Sequence, residues 1–341
     1  MYFLFSIIFL VSIILIFFQY NYLYKNRIFD KPSELKSHKK NYPKGMGLFI
    51  TLSIVIILKI IENVFEVNFL NENIARFWTL YLSIFVLIAI SFIDDFIVEI
   101  NPYLRLFFQF SLCFLSITSL PIPVFYSLSI MGVSVPYKLI ILMFIYIWIF
   151  ITNENNFHDG IDGHASIKIF FTSLMYSYLC YINNLSNFLL VILLILSAYS
   201  FIIFYFTKRK NKFFLGDVGS VPIGFLLGWF FIYFIIKGYL IECVFISLVY
   251  TLDIIYTASK RILRGKSIIV RHRDFVFLKN FDLDKNSNRV NLFYFIFNSL
   301  NFGVLIVFNF FNINLAFIII IGLLSVFYFF YIIEKNIFYI D

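Results

Sequence analysis

The chain has 341 residues, of which 62% are hydrophobic and only 13% charged, with a formal net charge of +8. A soluble domain is about 45–50% apolar and about 25% charged, so a soluble globular fold is excluded. A separate soluble domain is excluded as well, because the longest polar stretch, about residues 258–290, is a loop in length.

A spanning helix needs roughly 20 mostly apolar residues. In chain order such stretches fall at 2–20, 46–61, 77–93, 104–120, 137–152, 166–182, 188–206, 219–237, 239–257, 291–309 and 314–333. They predict an all-α polytopic membrane protein, a bundle of about 10–11 transmembrane helices forming one integral membrane domain over 1–341. No basic segment precedes the first stretch and no A-x-A site follows it, so it reads as a retained helix rather than a cleaved signal. Lys25 and Arg27 come after it, which puts the N-terminus outside. In that orientation all of the 27 Lys and Arg except Lys59, Arg76, Lys138 and Lys237 fall on the inside. The basic face is therefore the cytoplasmic one, where it meets anionic lipid headgroups. The expected location is the plasma membrane, with the lipid bilayer as a partner and no nucleic acid. Cys113, Cys180 and Cys243 each lie in an apolar stretch without a C-x-x-C partner and read as small buried hydrophobes.

The same orientation gathers four polar clusters on the inside. Asp94-Asp95 ends the third stretch, and adjacent carboxylates beside hydrocarbon are costly unless paired or metal-linked. Arg105, opening the next stretch, is a natural partner for them or for a phosphate. Asn153-x-x-Asn156-x-x-Asp159-Gly160-x-Asp162-Gly163 places amide and carboxylate oxygens in one short loop, the ligand types a hard cation takes. His158 and His164 flank it without an assigned role. Phe214-Leu215-Gly216-Asp217-Val218-Gly219-Ser220 leads into the eighth stretch, where backbone N–H groups at a helix start favour anions. Ser220, Gly224 and Gly228 recur every four residues, a pattern for close helix packing. Arg271-His272-Arg273 offers a guanidinium pair that can grip a diphosphate, and Asp253 is a candidate buried partner for one of these cations.

These blocks resemble the polyprenyl-phosphate N-acetylhexosamine-1-phosphate transferases, a glycosyltransferase 4 type of enzyme. The resemblance rests on Asp94-Asp95, the Asn153–Gly163 block and Phe214–Ser220. An early loop also contributes, with Asp30-Lys31-Pro32, Lys36, His38 and Pro43-Lys44-Gly45. It implies a cytoplasmic active site that moves a sugar 1-phosphate from a UDP-N-acetylhexosamine to a polyprenyl (undecaprenyl) phosphate and releases UMP. It implies Mg²⁺, with Mn²⁺ as a substitute, held by Asp217 and Asn156. Asp94, Asp95, Asp159 and Asp162 then serve as catalytic groups. Asn153, Arg105, Arg271, His272 and Arg273 bind substrate, and a homodimer is a candidate assembly.

One departure matters. Many bacterial members have a His-rich motif in the last loop, with His where this chain has Phe275. The segment Arg271-His272-Arg273-Asp274-Phe275 is closer to an R-H-R form. That argues for a branch initiating O-antigen or capsule synthesis in the bacterial inner membrane, and against the muropeptide branch. The principal rival reading is a transporter or lipid flippase. Its polar groups would lie mid-helix in two inverted halves, and no such repeat is visible.

Overall fold

The structure is a computed structural model. It describes residues 14, 17–26, 29–30, 42–43, 45–48, 51–52, 77–121, 129–130, 133–208, 214–267, 272–284, 286–311, 313 and 315–338. Among these, ten α-helices have defined ends: α1 Phe77–Phe96, α2 Pro102–Ser116, α3 Tyr137–Phe157, α4 His164–Ile182, α5 Asn187–Lys208, α6 Asp217–Ile236, α7 Leu240–Leu263, α8 Val276–Asp284, α9 Ser287–Phe311 and α10 Leu315–Phe338. Seven stretches, those of α1, α3 to α7 and α9, are long and apolar enough to cross a membrane, among the described residues. The protein is an all-helical, polytopic membrane protein. Its only described strands form two-residue antiparallel ladders, Phe29–Asp30 with Tyr42–Pro43 and Ser129–Ile130 with Val133–Ser134.

α6 is the axis of the bundle. Nearly all its residues are buried, from Val218 to Ile235, and it packs on α1 and α3. The four-residue spacing of small residues makes the fit with α3 possible. A Cβ on Gly224 would stand 2.7 Å from the Thr152 carbonyl oxygen, and one on Gly228 would stand 2.5 Å from the Trp148 ring. Pro222 lies inside α6 and lacks the N–H that would bond the Val218 carbonyl. The Thr51 hydroxyl donates to that carbonyl at 3.4 Å. Trp148 Nε1 donates to the Phe225 carbonyl at 2.7 Å and Asn155 Nδ2 to the Ser220 carbonyl at 2.7 Å. Side chains of neighbouring helices thus hold the backbone of the central one.

The helices outlast the apolar stretches that announce them. α1 continues through Asp94 and Asp95, α3 through Asn153 and Asn156, and α7 through Lys260 and Arg261. The polar loop 258–290 contains its own helix, α8. Lys168, expected at an inside end, is instead buried within α4, with Glu154 of α3 at 3.6 Å. All three cysteines are free and buried, as their surroundings suggest.

Candidate active site

Helix ends build the site. The last turn of α1, the first turn of α2, the last turn of α3 and the first turn of α6 meet at one end of the bundle. α2 starts with Asn101, whose side chain accepts from the Tyr103 N–H at 2.9 Å, and with Pro102 in the first helical turn. That cap fixes where Arg105 emerges. Its Nη1 donates to Asp94 Oδ2 at 2.9 Å and to Asp217 Oδ2 at 2.7 Å. The Asp94 side chain is only 8% exposed, against 27% for Asp217 and 34% for Arg105. Asp217 and Arg105 are therefore the members of this triad that an incoming group meets first. Asp94 also accepts from the Ile100 N–H at 2.6 Å.

The turn before α6 needs glycine. Gly216 has φ +74°, and a Cβ there would stand 2.7 Å from Asp95 Oδ2. The N–H groups that this turn exposes are satisfied by the protein's own acids. Gly216 N–H donates to Asp159 Oδ2 at 2.8 Å, and Val218 N–H donates to Asp95 Oδ2 at 2.9 Å. Asn156 Oδ1 accepts from the Ser220 hydroxyl at 2.7 Å. From the early loop, Gly47 N–H donates to the Leu215 carbonyl at 3.0 Å, and Gly47 lies against Gly219 so closely that a Cβ would stand 2.1 Å from its Cα. Gln19 Nε2 holds the Gly45 carbonyl at 2.8 Å. Lys31, Lys36, His38 and Lys44 lie outside the described residues.

The other candidates make their contacts outside that triad. Asn153 pairs with Gln109, its Nδ2 donating to Oε1 at 2.7 Å, and also donates to the Ile149 carbonyl. Asp162 is buried, and its carbonyl accepts from Asn291 Nδ2 at 2.7 Å. Arg271 lies outside the described residues. Arg273 donates to Asp282 of α8 at 2.7 Å, and His272 Nδ1 accepts from the Asp274 N–H at 3.3 Å. Burial, then the Arg261 charge, holds the His272 imidazole below its ordinary range, so it is neutral at pH 7. Burial pushes the Asp274 carboxyl up, but the hydrogen bond and charge of Arg261 outweigh it and leave the group below its ordinary range.

Among the described residues Asp253 forms no ion pair with Arg261, His272 or Arg273, which pair instead with Asp274 and Asp282. It caps α8, accepting from Val276 N–H at 2.8 Å and Phe277 N–H at 3.2 Å. The start of a helix offers unpaired N–H groups to a carboxylate, and that is the physical reason for its position. Sequence reasoning also passed over Gln109 and Thr51, polar residues in mainly apolar runs, and Asn291, at the polar start of α9.

Among the described residues no three of His, Cys, Asp and Glu form a group that could hold a metal ion. Mg²⁺ usually takes one or two carboxylates and fills its shell with water and substrate phosphates. The Asp217 carboxylate and the Asn156 amide oxygen are ligand types of that kind; in this structure the first pairs with Arg105 and the second accepts from Ser220.

The model of the family described as "Glycosyl transferase family 4" matches residues 77–235. That segment is similar to glycosyl transferase family 4. The match runs from α1 to the end of α6 and so contains Asp94, Asp95, Arg105, Asn153 to Gly163 and Asp217, while His272 and Arg273 lie beyond it. Similar proteins include a phospho-N-acetylmuramoyl-pentapeptide-transferase of Streptococcus mutans, 34% identical over 102 residues, which is 30% of each chain. That of Streptococcus pneumoniae (strain Hungary19A-6) is 28% identical over 210 residues, 57% of this chain and 60% of the relative. The chain thus spans 30% of the length of the first of these relatives and 60% of the second.

Proposed function

We propose that the chain transfers a sugar 1-phosphate from a UDP-N-acetylhexosamine to a polyprenyl phosphate at the cytoplasmic face of a bacterial inner membrane, initiating a surface polysaccharide. The observation that carries this reading is the Asp94–Arg105–Asp217 triad, made by three helix ends inside the family 4 segment. In the reaction an oxygen of the lipid phosphate attacks the β-phosphorus of the donor. The new P–O bond forms as the bond between the β-phosphorus and the bridging oxygen breaks, and UMP leaves with that oxygen. A phosphate monoester has its second pKa near about 6, so the acceptor is a dianion at neutral pH and no strong base is required.

Repulsion between two anions is then the main obstacle. Arg105 supplies a fixed positive charge at the mouth of the site, and Arg273 is a second cation for the diphosphate. Asp217, with Asn156, would hold Mg²⁺ or Mn²⁺, which supplies charge neutralisation at the transferring phosphate. Asp94 orients Arg105, while Asp95 and Asp159 hold the Gly216–Val218 turn that presents Asp217. Ile97 and Val98, just after α1, and Tyr103 and Phe107, in the first turns of α2, are exposed, so a phosphate bound at that end would leave its isoprenoid tail beside hydrocarbon. The relatives carry the name of the muropeptide branch. The family match ends before the last loop, whose Arg271–Phe275 sequence supports the polysaccharide-initiating branch.

The test is UMP release by purified protein from a panel of UDP-N-acetyl sugars and UDP-MurNAc-pentapeptide, with undecaprenyl phosphate and Mg²⁺. UMP that needs lipid and Mg²⁺ and is absent with Asp217→Asn supports the reading. UMP from the peptide-bearing donor alone reverses the branch assignment. Release from no donor, with lipid active toward another transferase, overturns the proposal.

A further inference from the structure

His158 and His164, the histidines flanking the Asp159–Asp162 segment, are fully buried rather than facing the wet site. Their rings lie 5.4 Å apart and together pack against one side chain from a distant part of the chain. Phe277, the second residue of α8, has its ring centroid 4.9 Å from that of His158 and 4.7 Å from that of His164, the latter stacked at 14°. His158 also meets Tyr250 edge-on at 5.0 Å, and His164 meets Tyr294 edge-on at 4.4 Å. The grip continues toward the basic segment. Phe277 stacks on Phe275 at 5.8 Å, and Phe275 lies 4.7 Å from the His272 ring and 5.6 Å from Phe157. His164 Nδ1 is 3.2 Å from Asn291 Oδ1, and the same Asn291 holds the Asp162 carbonyl.

We propose that His158 and His164 are positioning residues that clamp Phe277 and so set the His272–Arg273 segment at a fixed distance from the Asp159–Asp162 segment. This rests on the transferase reading for its kinetic consequence, though the clamp itself does not. The His158 ring nitrogens make no hydrogen bond to another side chain and meet at most the Tyr250 backbone, so the main contribution of His158 is the ring, its volume and its flat contact. A side chain that needs only to be a ring can be replaced by another ring. Because Arg273 sits four residues before Phe277 and is tied to Asp282 of the same helix, loosening Phe277 moves the basic group as a unit with α8. Arg105 and Asp94 belong to other helices and stay in place.

The test compares His158→Ala, His158→Phe and Phe277→Leu in the full-length protein in lipid nanodiscs. Hydrogen exchange of the segment 272–284 is read first, because Asp253 protects the Val276 and Phe277 amides only while α8 is docked. His158→Ala and Phe277→Leu should speed exchange there by about tenfold or more with the rest of the bundle unchanged. His158→Phe should behave as the parent protein. In UMP release, His158→Ala should raise KM for the UDP-sugar about tenfold with kcat and the KM for lipid phosphate nearly unchanged, and His158→Phe should restore it. Unchanged exchange in both loosening variants, acceleration across the whole bundle, or failure of His158→Phe to rescue would each overturn the clamp. Should His158→Ala not fold, Phe277→Leu reads the same contact from its other side. Absence of UMP release in the parent protein would refute the transferase reading, while the exchange measurement still decides the clamp.

Discussion

Successive residues on an α-helix point about 100° apart, and in the last turn of α1 that separation divides two adjacent acids. Asp94 faces Arg105 and, through it, Asp217, whereas Asp95 turns to the backbone of α6 and accepts from the Val218 N–H. The first arrangement tunes a charge that a substrate meets; the second satisfies a helix start. Asp95→Ala should therefore lower stability by about 0.5–2 kcal/mol, the range for losing an N-cap acceptor. Asp95→Asn should lose less, since its amide oxygen still accepts. Asp94→Asn and Asp217→Asn should instead lower kcat for UMP release by about 100-fold or more, with little change in unfolding midpoint. Thermal unfolding and UMP release on the same preparations separate the two roles. An Asp95→Ala protein of parental stability but without activity would show that Asp95 also acts on the substrate.

Among the elements, α3, α4 and α7 share a buried polar contact separate from the Asp94–Arg105–Asp217 triad. Glu154 and Lys168 are 1% and 4% exposed at the side chain and 3.6 Å apart, and Thr251 of α7 donates to Glu154 at 3.3 Å. Lys168 also lies 5.5 Å from the Tyr250 ring. Removing one partner leaves the other charge buried alone, so Lys168→Met should destabilise the bundle by about 3–5 kcal/mol. Glu154→Leu with Lys168→Met should recover most of that loss, which unfolding midpoints of the single and double variants would show; a double variant as unstable as the single one would disprove the pairing. This contact was not legible in the sequence, where each residue is one charge in a helix and their separation gives no sign of meeting. The bundle was legible, because hydropathy reports which residues face lipid or core. Helix ends were placed too early, at 93 and 152 rather than Phe96 and Phe157, because backbone hydrogen bonds and caps end a helix, not polarity. The acids and glycines of the site were legible as residue types. Their division of labour was not, since Gln109, Asn291 and the Asp253 cap act between segments far apart in the chain.

For the molecule as a whole, the direction of the helices decides on which side of the membrane the chemistry takes place. α1 and α3 end at the site and α2, α4 and α6 begin there, so Lys208, Lys260, Arg261, Arg264 and Lys266 lie toward the same end, with Lys138 and Lys237 toward the other. The positive-inside rule therefore predicts that this end is cytoplasmic, the side from which the proposed UDP-sugar donor would come. The prediction is checked with single cysteines at Lys237→Cys and Lys266→Cys, both exposed positions. Background is low because Cys113, Cys180 and Cys243 are buried. In right-side-out vesicles a membrane-impermeant maleimide should label Lys237→Cys, and Lys266→Cys only after permeabilisation. Labelling of Lys266→Cys alone in sealed vesicles would put the acids on the outer face. The anionic phosphate of the acceptor could still reach them there, but a nucleotide-sugar donor could not, and the charge asymmetry would have to be explained by something other than topology.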